Sequence, residues 1–214
     1  MTNENLAPAL GALERLREGN QRFVSAVQSI DPDLNQAKRV ELAATGQNPF
    51  AIILGCSDSR VPAELVFDQG LGDLFVIRVA GNIVASSQVG SVEFAAERFG
   101  TPLVVVLGHS QCGAISATIE QLQQATELQS RNLRSIVDRV RPSVEPLLET
   151  ELAKDPEALF KKAVRANIRA SANHLRHGSD ILEQLIEHKG LVVVGAEYSL
   201  ETGVVDFFDG VPKV

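Results

Sequence analysis

At 214 residues the chain is long enough for one sizeable core and too short to require a second domain. Hydrophobic residues make up 44% and charged residues 22%, the balance of a soluble globular protein. The net charge of −7 argues against nucleic acid or anionic lipid as a partner of the whole chain, and no apolar run has the length of a membrane span.

The first residues lack a basic stretch followed by an apolar one, so no signal peptide is expected and the expected compartment is the cytosol. A helix is predicted over 8–27, with Leu10, Leu13, Leu16, Asn20, Phe23 and Val27 near one stripe. That stripe must be buried in its own core or against a second subunit. Asp31-Pro32 interrupts the pattern, and 36–44 reads as helix again before Gly46. Gln47-Asn48-Pro49 leads into an aliphatic strand at 51–55. Pro62 suits the first turn of a short helix, and a second strand is predicted over 74–79. Arg78 interrupts that strand, so it needs a partner or faces an anion. A helix over 86–99 closes at Gly100, a third strand runs over 103–108, and a helix over 113–128 starts at Gly113. From 130 to 189 the chain is helical and charged, with breaks expected at Pro142, Asp155-Pro156 and Gly178-Ser179. His174, His177 and His188 in that region read as solvated or capping residues. A fourth strand at 191–196, a turn at Glu201-Thr202-Gly203 and an edge strand at 204–208 complete the chain. Alternation of strands and helices predicts an α/β fold with a mainly parallel central sheet flanked by helices, an N-terminal helical arm and a C-terminal edge strand. One domain is expected over 1–214.

The first and third strands both end in Leu-Gly, and a metal-binding side chain follows each: Cys56 after the first, His109 after the third. Cys112 lies three residues beyond His109. Chemistry in open α/β sheets collects beyond the carboxyl ends of strands, so adjacent strands would bring the three together. Two thiolates and an imidazole suit zinc and leave a fourth position. Inert thiols, a disulfide, a structural zinc module and a thiol-redox site are the competing readings. A reducing cytosol disfavours a disulfide, and the redox reading lacks Cys-x-x-Cys. None of these explains Asp58 and Arg60, two and four residues after Cys56. Asp58 is close enough to take the fourth position and close the site. Held instead by a bidentate pair with Arg60, it leaves that position to a water activated by the metal.

Cys-x-Asp-x-Arg followed by His-x-x-Cys resembles the β-class carbonic anhydrases. The likeness extends to Gly19-Asn20-Gln21-Arg22-Phe23, Phe75-Val76-Ile77-Arg78 and Gly195-Ala196-Glu197-Tyr198. It implies zinc on Cys56, His109 and Cys112, with Asp58 and Arg60 catalytic and Asp58 a fourth ligand in a closed state. It implies hydration of CO2 to bicarbonate and a proton by zinc-bound hydroxide. It also implies a homodimer, with tetramers as a further assembly, whose sites lie at the subunit interface and whose N-terminal arm lies over the partner. Gln47 matches the substrate-binding Gln of open-site, plant-like members, and Phe75, Ala80, Phe94 and Gly113 match positions around the substrate. Ala80 stands where Val is common and Phe94 where Tyr is common. Bicarbonate-regulated members carry Trp three residues before the first Cys, a position filled here by Ile53 in a chain without Trp.

Overall fold

The computed structural model describes residues 3–27, 32–124 and 130–213. Its centre is a five-stranded sheet in the order β2-β1-β3-β4-β5, with β1 Ala51–Gly55, β2 Leu74–Arg78, β3 Leu103–His109, β4 Val192–Tyr198 and β5 Val205–Asp209. The first four are mutually parallel and β5 is antiparallel to β4. The fold expected from the alternation of elements is therefore the one observed.

Both faces of the sheet are covered, which is why β1 and β3, up to His109 at the end of β3, run without polar residues instead of alternating with them. Ile52, Leu54, Val104 and Val106 point into one core with residues of α4 Ser86–Phe99, α5 Gly113–Gln124, α6 Arg131–Leu148, α7 Pro156–His177 and α8 Asp180–Lys189. Their neighbours Ala51, Ile53, Leu103, Val105 and Leu107 point to the other core, shared with α1 Asn3–Val24 and α3 Ala63–Val66. Gly108 and Gly195 let α7 come close, since a Cβ on either would stand 2.5 or 2.8 Å from a side-chain carbon of Ile168.

Two expectations are corrected. The first helix starts at Asn3 and carries Pro8 inside it; it ends at Val24, after which Ala26 turns left-handed at φ +55°. Part of its stripe is covered within this chain: Ala9, Leu13 and Leu16 are at most 1% exposed and Phe23 rests against Tyr198, while Val27 is 63% exposed. Pro142 is no break either. It lies within α6 on the exposed side, as does Pro146, so the carbonyls deprived of an N–H partner face outward. Buried Val137, Val140 and Val144 hold the helix together across them. The residues of the predicted Asp31 break and of the tail of the 113–128 helix fall partly at 31 and 125–129, outside the described residues. In α2 Pro32–Thr45 every described side chain from Gln36 onward except Leu42 is exposed. Among the described residues no helix is long and apolar enough to cross a membrane.

Candidate metal centre

β1 and β3 pair with Gly55 opposite Leu107, so the residues that follow, Cys56 and His109, emerge side by side at the carboxyl end of the sheet. His109 is the last residue of β3, and the chain must then reverse for Cys112 to return to the same point. Gln111 supplies the reversal with φ +55°, and α5 begins at Gly113. The ligand atoms of Cys56, His109 and Cys112 all lie within 4.8 Å of one another, and all three residues are buried.

The donor atoms of this cluster show what it could hold. His109 Nδ1 lies 2.8 Å from the Ser110 carbonyl, which can only accept, so Nδ1 carries the hydrogen. Nε2 then presents its lone pair, fully buried and without a hydrogen-bond partner. An orphaned acceptor of this kind costs free energy unless something binds it. The two thiols share one proton: a hydrogen bond from Cys112 draws Cys56 down to about 4 against the effect of burial, helped by His109 and by the backbone at Asp58 and Gly81. The same bond, burial and the Cys56 charge push Cys112 upward, although backbone N–H groups of Ile115 and Ala114 in α5 oppose that. Burial lowers the His109 pKa, but its contacts with Cys56 outweigh that and raise it overall. Two adjacent thiolates ionise together only with a cation between them, and a divalent soft-to-borderline metal meets the donor set. Zinc fits: two thiolates and one imidazole, with a tetrahedral position left over.

Asp58 stands beside this triad. Arg60 donates through Nε to Oδ1 at 2.9 Å and through Nη2 to Oδ2 at 2.7 Å, while its backbone N–H reaches Oδ1 at 3.0 Å. Those bonds, led by the side chain, hold Asp58 well below the usual carboxylate range despite partial burial. Oδ2 is 3.9 Å from His109 Nε2, close to the metal position yet occupied by Arg60. Of the two arrangements the Cys-x-Asp-x-Arg spacing allows, this is the one in which Arg60 holds Asp58.

The remaining predicted residues separate into two groups. Ala80 opens a 3-10 turn over Ala80–Asn82 whose Gly81 N–H donates to Cys56 Sγ at 3.3 Å, and Gly113 follows Cys112, so both adjoin the centre. Gln47 precedes the amino end of β1, and Phe75 pairs with Ile52 one residue into that strand's amino half. Phe94 lies 6.2 Å from Phe75, centroid to centroid, and is 54% exposed. The fold thus does not bring Gln47, Phe75 and Phe94 to this chain's own triad. Arg78 finds the partner that its place in an apolar strand called for, in groups the sequence reading did not name. It donates to the carbonyls of Cys56 and Asp58 and so braces the loop that carries both. Its place after an apolar strand was the signal, but backbone carbonyls as partners are invisible in a sequence.

The family model described as carbonic anhydrase matches residues 51–205. The chain is 39% identical over 194 residues to carbonic anhydrase 2 of Mycobacterium tuberculosis, covering 91% of this chain and 90% of the relative. It is 36% identical to the carbonic anhydrase of Mycolicibacterium smegmatis, over 96% of this chain and 95% of that one. Among solved structures it is similar to the β-carbonic anhydrase CcaA, with a TM-score of 0.72 and 25% identity over 95% of this chain and 94% of that one.

Proposed function

The chain belongs to the β class of the carbonic anhydrase family, and from that premise we propose how its residues carry out the hydration of CO2 to bicarbonate and a proton. Cys56, His109 and Cys112 hold zinc, which when bound lowers the pKa of a coordinated water to about 7 and so makes a nucleophile available at neutral pH. Asp58 stays ionised, and Oδ2 accepts a hydrogen bond from the attacking oxygen and aims its lone pair at the CO2 carbon. Arg60 keeps Asp58 from becoming a ligand itself. Arg78 fixes the backbone of Cys56 and Asp58, and Ala80 and Gly113 adjoin the triad on the side where we place the substrate. The observation that carries this reading is the two-toothed Arg60–Asp58 pair set 3.9 Å from the orphaned His109 nitrogen. A structural zinc site has no use for it.

The working unit we propose is a homodimer, with pairing of dimers into a tetramer as the further assembly. Gln47, Phe75 and Phe94 stand at the amino end of the strands, opposite to this protomer's own triad. They serve a site of this kind only across a subunit interface, where the Gln47 amide donates to a substrate oxygen and the two rings wall the cleft. The exposed length of α2 and exposed Phe94 leave surface for that interface. Both cysteines are free, in keeping with the reducing cytosol we propose as its compartment.

Metal analysis and stopped-flow CO2 hydration test the reading together. Wild type is expected to hold about one zinc per chain and to hydrate CO2, and Cys112→Ser to lose most of both. A wild-type protein with both thiols titratable, no zinc and no hydration overturns it.

A further inference from the structure

The turn between His109 and Cys112 is anchored from a part of the chain that no motif includes. Ser110 and Gln111 lie between the two ligands, and Gln111 adopts the left-handed backbone that side chains avoid. Such a conformation persists only where its surroundings hold it. The hold comes from the connection between β4 and β5. Ser110 N–H donates to the Tyr198 carbonyl at 2.9 Å, and Ser110 Oγ accepts from Leu200 N–H at 2.9 Å. Glu201 then gathers the turn: Oε2 accepts from Ser110 Oγ at 2.8 Å and Ser199 Oγ at 3.1 Å, and Oε1 from Gln111 Nε2 at 2.6 Å. On its other side, the Gln111 carbonyl accepts from Arg60 Nη2 at 3.3 Å, the nitrogen that also holds Asp58 Oδ2.

These contacts form one path from Glu201 through Gln111 and Arg60 to Asp58. We propose that Glu201 is a positioning residue for hydration: it holds the Ser110–Gln111 turn so that the Gln111 carbonyl steadies Arg60, and Arg60 keeps Asp58 away from the metal. The proposal rests on the β-class reading of the site. A carboxylate is the group the position needs, because a turn offering several donors wants an acceptor with two oxygens and no hydrogens. Hydrogen bonds from Ser110, from its own backbone and from Gln111 hold Glu201 down to about 2, so it keeps that form throughout the neutral range. The same feature makes it a poor acceptor for the product proton, which separates positioning from proton transfer.

Glu201→Ala decides the matter, made alone and in an Arg60→Ala background. The single variant is expected to keep its zinc and its melting temperature within a few degrees, and to lose about tenfold in kcat with less change in KM. In the Arg60→Ala background the same change is expected to cost less than about twofold, because residues acting in series do not lose their effects independently. A crystal structure of the single variant is expected to show Arg60 drawn off Asp58. Wild-type kcat, an equal loss in both backgrounds, or an Arg60–Asp58 pair left unmoved overturns the proposal. Should Glu201→Ala fail to fold, Glu201→Gln keeps the size and one acceptor, and the same three readouts apply to it. Wild type that binds zinc without hydrating CO2 would instead overturn the β-class activity, while the crystal structure still tests the Glu201 path.

Discussion

At Asp58 two cations compete for one carboxylate, and the outcome decides whether the fourth metal position is open. In this structure Arg60 engages both carboxylate oxygens. Arg60→Ala is expected to free Asp58 for the metal, so turnover should fall about 10–100-fold while zinc is retained. Metal analysis with steady-state hydration checks it, and near-normal turnover would remove the gating role. The same pair makes a stability statement. The folded-state pKa of Asp58 is depressed, chiefly by the Arg60 hydrogen bond. Its contribution is therefore present above the ordinary carboxylate pKa of about 3.9 and lost as pH falls through the lower folded value. In metal-free protein, the melting-temperature deficit of Asp58→Asn relative to wild type should accordingly be fully developed at pH 6 and shrink toward pH 2. A deficit constant over that range would mean that the pair adds nothing to folding. Hydration by Asp58→Asn should also drop, since an amide is a weaker acceptor than a carboxylate.

Among the elements, α1 shows how polar residues serve packing. Asn20 is buried, and its amide donates to the carbonyls of Val66 and Gly203 while its oxygen accepts from Val205 N–H. One side chain thereby ties the arm to the end of α3 and to the turn before β5. Gly19 is needed beside it, because a Cβ there would lie 1.8 Å from the Phe67 carbonyl oxygen. Arg22 continues the clamp onto buried Asp68 at 2.6 Å. Asn20→Ala leaves backbone groups without partners in a dry place, and a loss of about 2–4 kcal/mol in unfolding free energy is expected by urea titration. A variant as stable as wild type would show that the clamp is ornamental. Deleting the arm should unfold the protomer as well as any dimer, because Leu13 and Leu16 belong to its core.

For the molecule as a whole, chemistry and assembly are proposed to be inseparable. The triad sits at the carboxyl end of the sheet and the predicted substrate residues at the amino end, a distance one protomer does not bridge. Phe94, exposed and packed edge-on against Phe99 at 5.7 Å, marks the face on which a second copy is expected. Phe94→Arg should give monomers in sedimentation analysis that keep zinc yet lose at least about tenfold in hydration, since a cleft wall is missing and a charge is buried poorly in an apolar interface. Fully active monomers would show that each site is complete on its own.

Much of this was readable from the order of residues. Aliphatic runs ending in Leu-Gly announced buried parallel strands, and Cys56, Asp58, Arg60, His109 and Cys112 were placed by spacing alone. Short-range patterns of this kind survive in a sequence because strand period and loop reach are local properties. Pro142 misled for the same reason, since a local breaker signal does not know which side of a helix faces solvent. The rest is decided by three-dimensional packing. The order of residues left open what covers the arm's stripe, and only packing shows which part its own chain takes: Leu13 and Leu16 join the core of α3, and Asn20 bonds to Val66 and Val205. The orphaned His109 nitrogen, the Gly81 N–H on Cys56 and the reach of Glu201 across 90 residues to Gln111 depend on strands meeting side by side, which no spacing along the chain encodes.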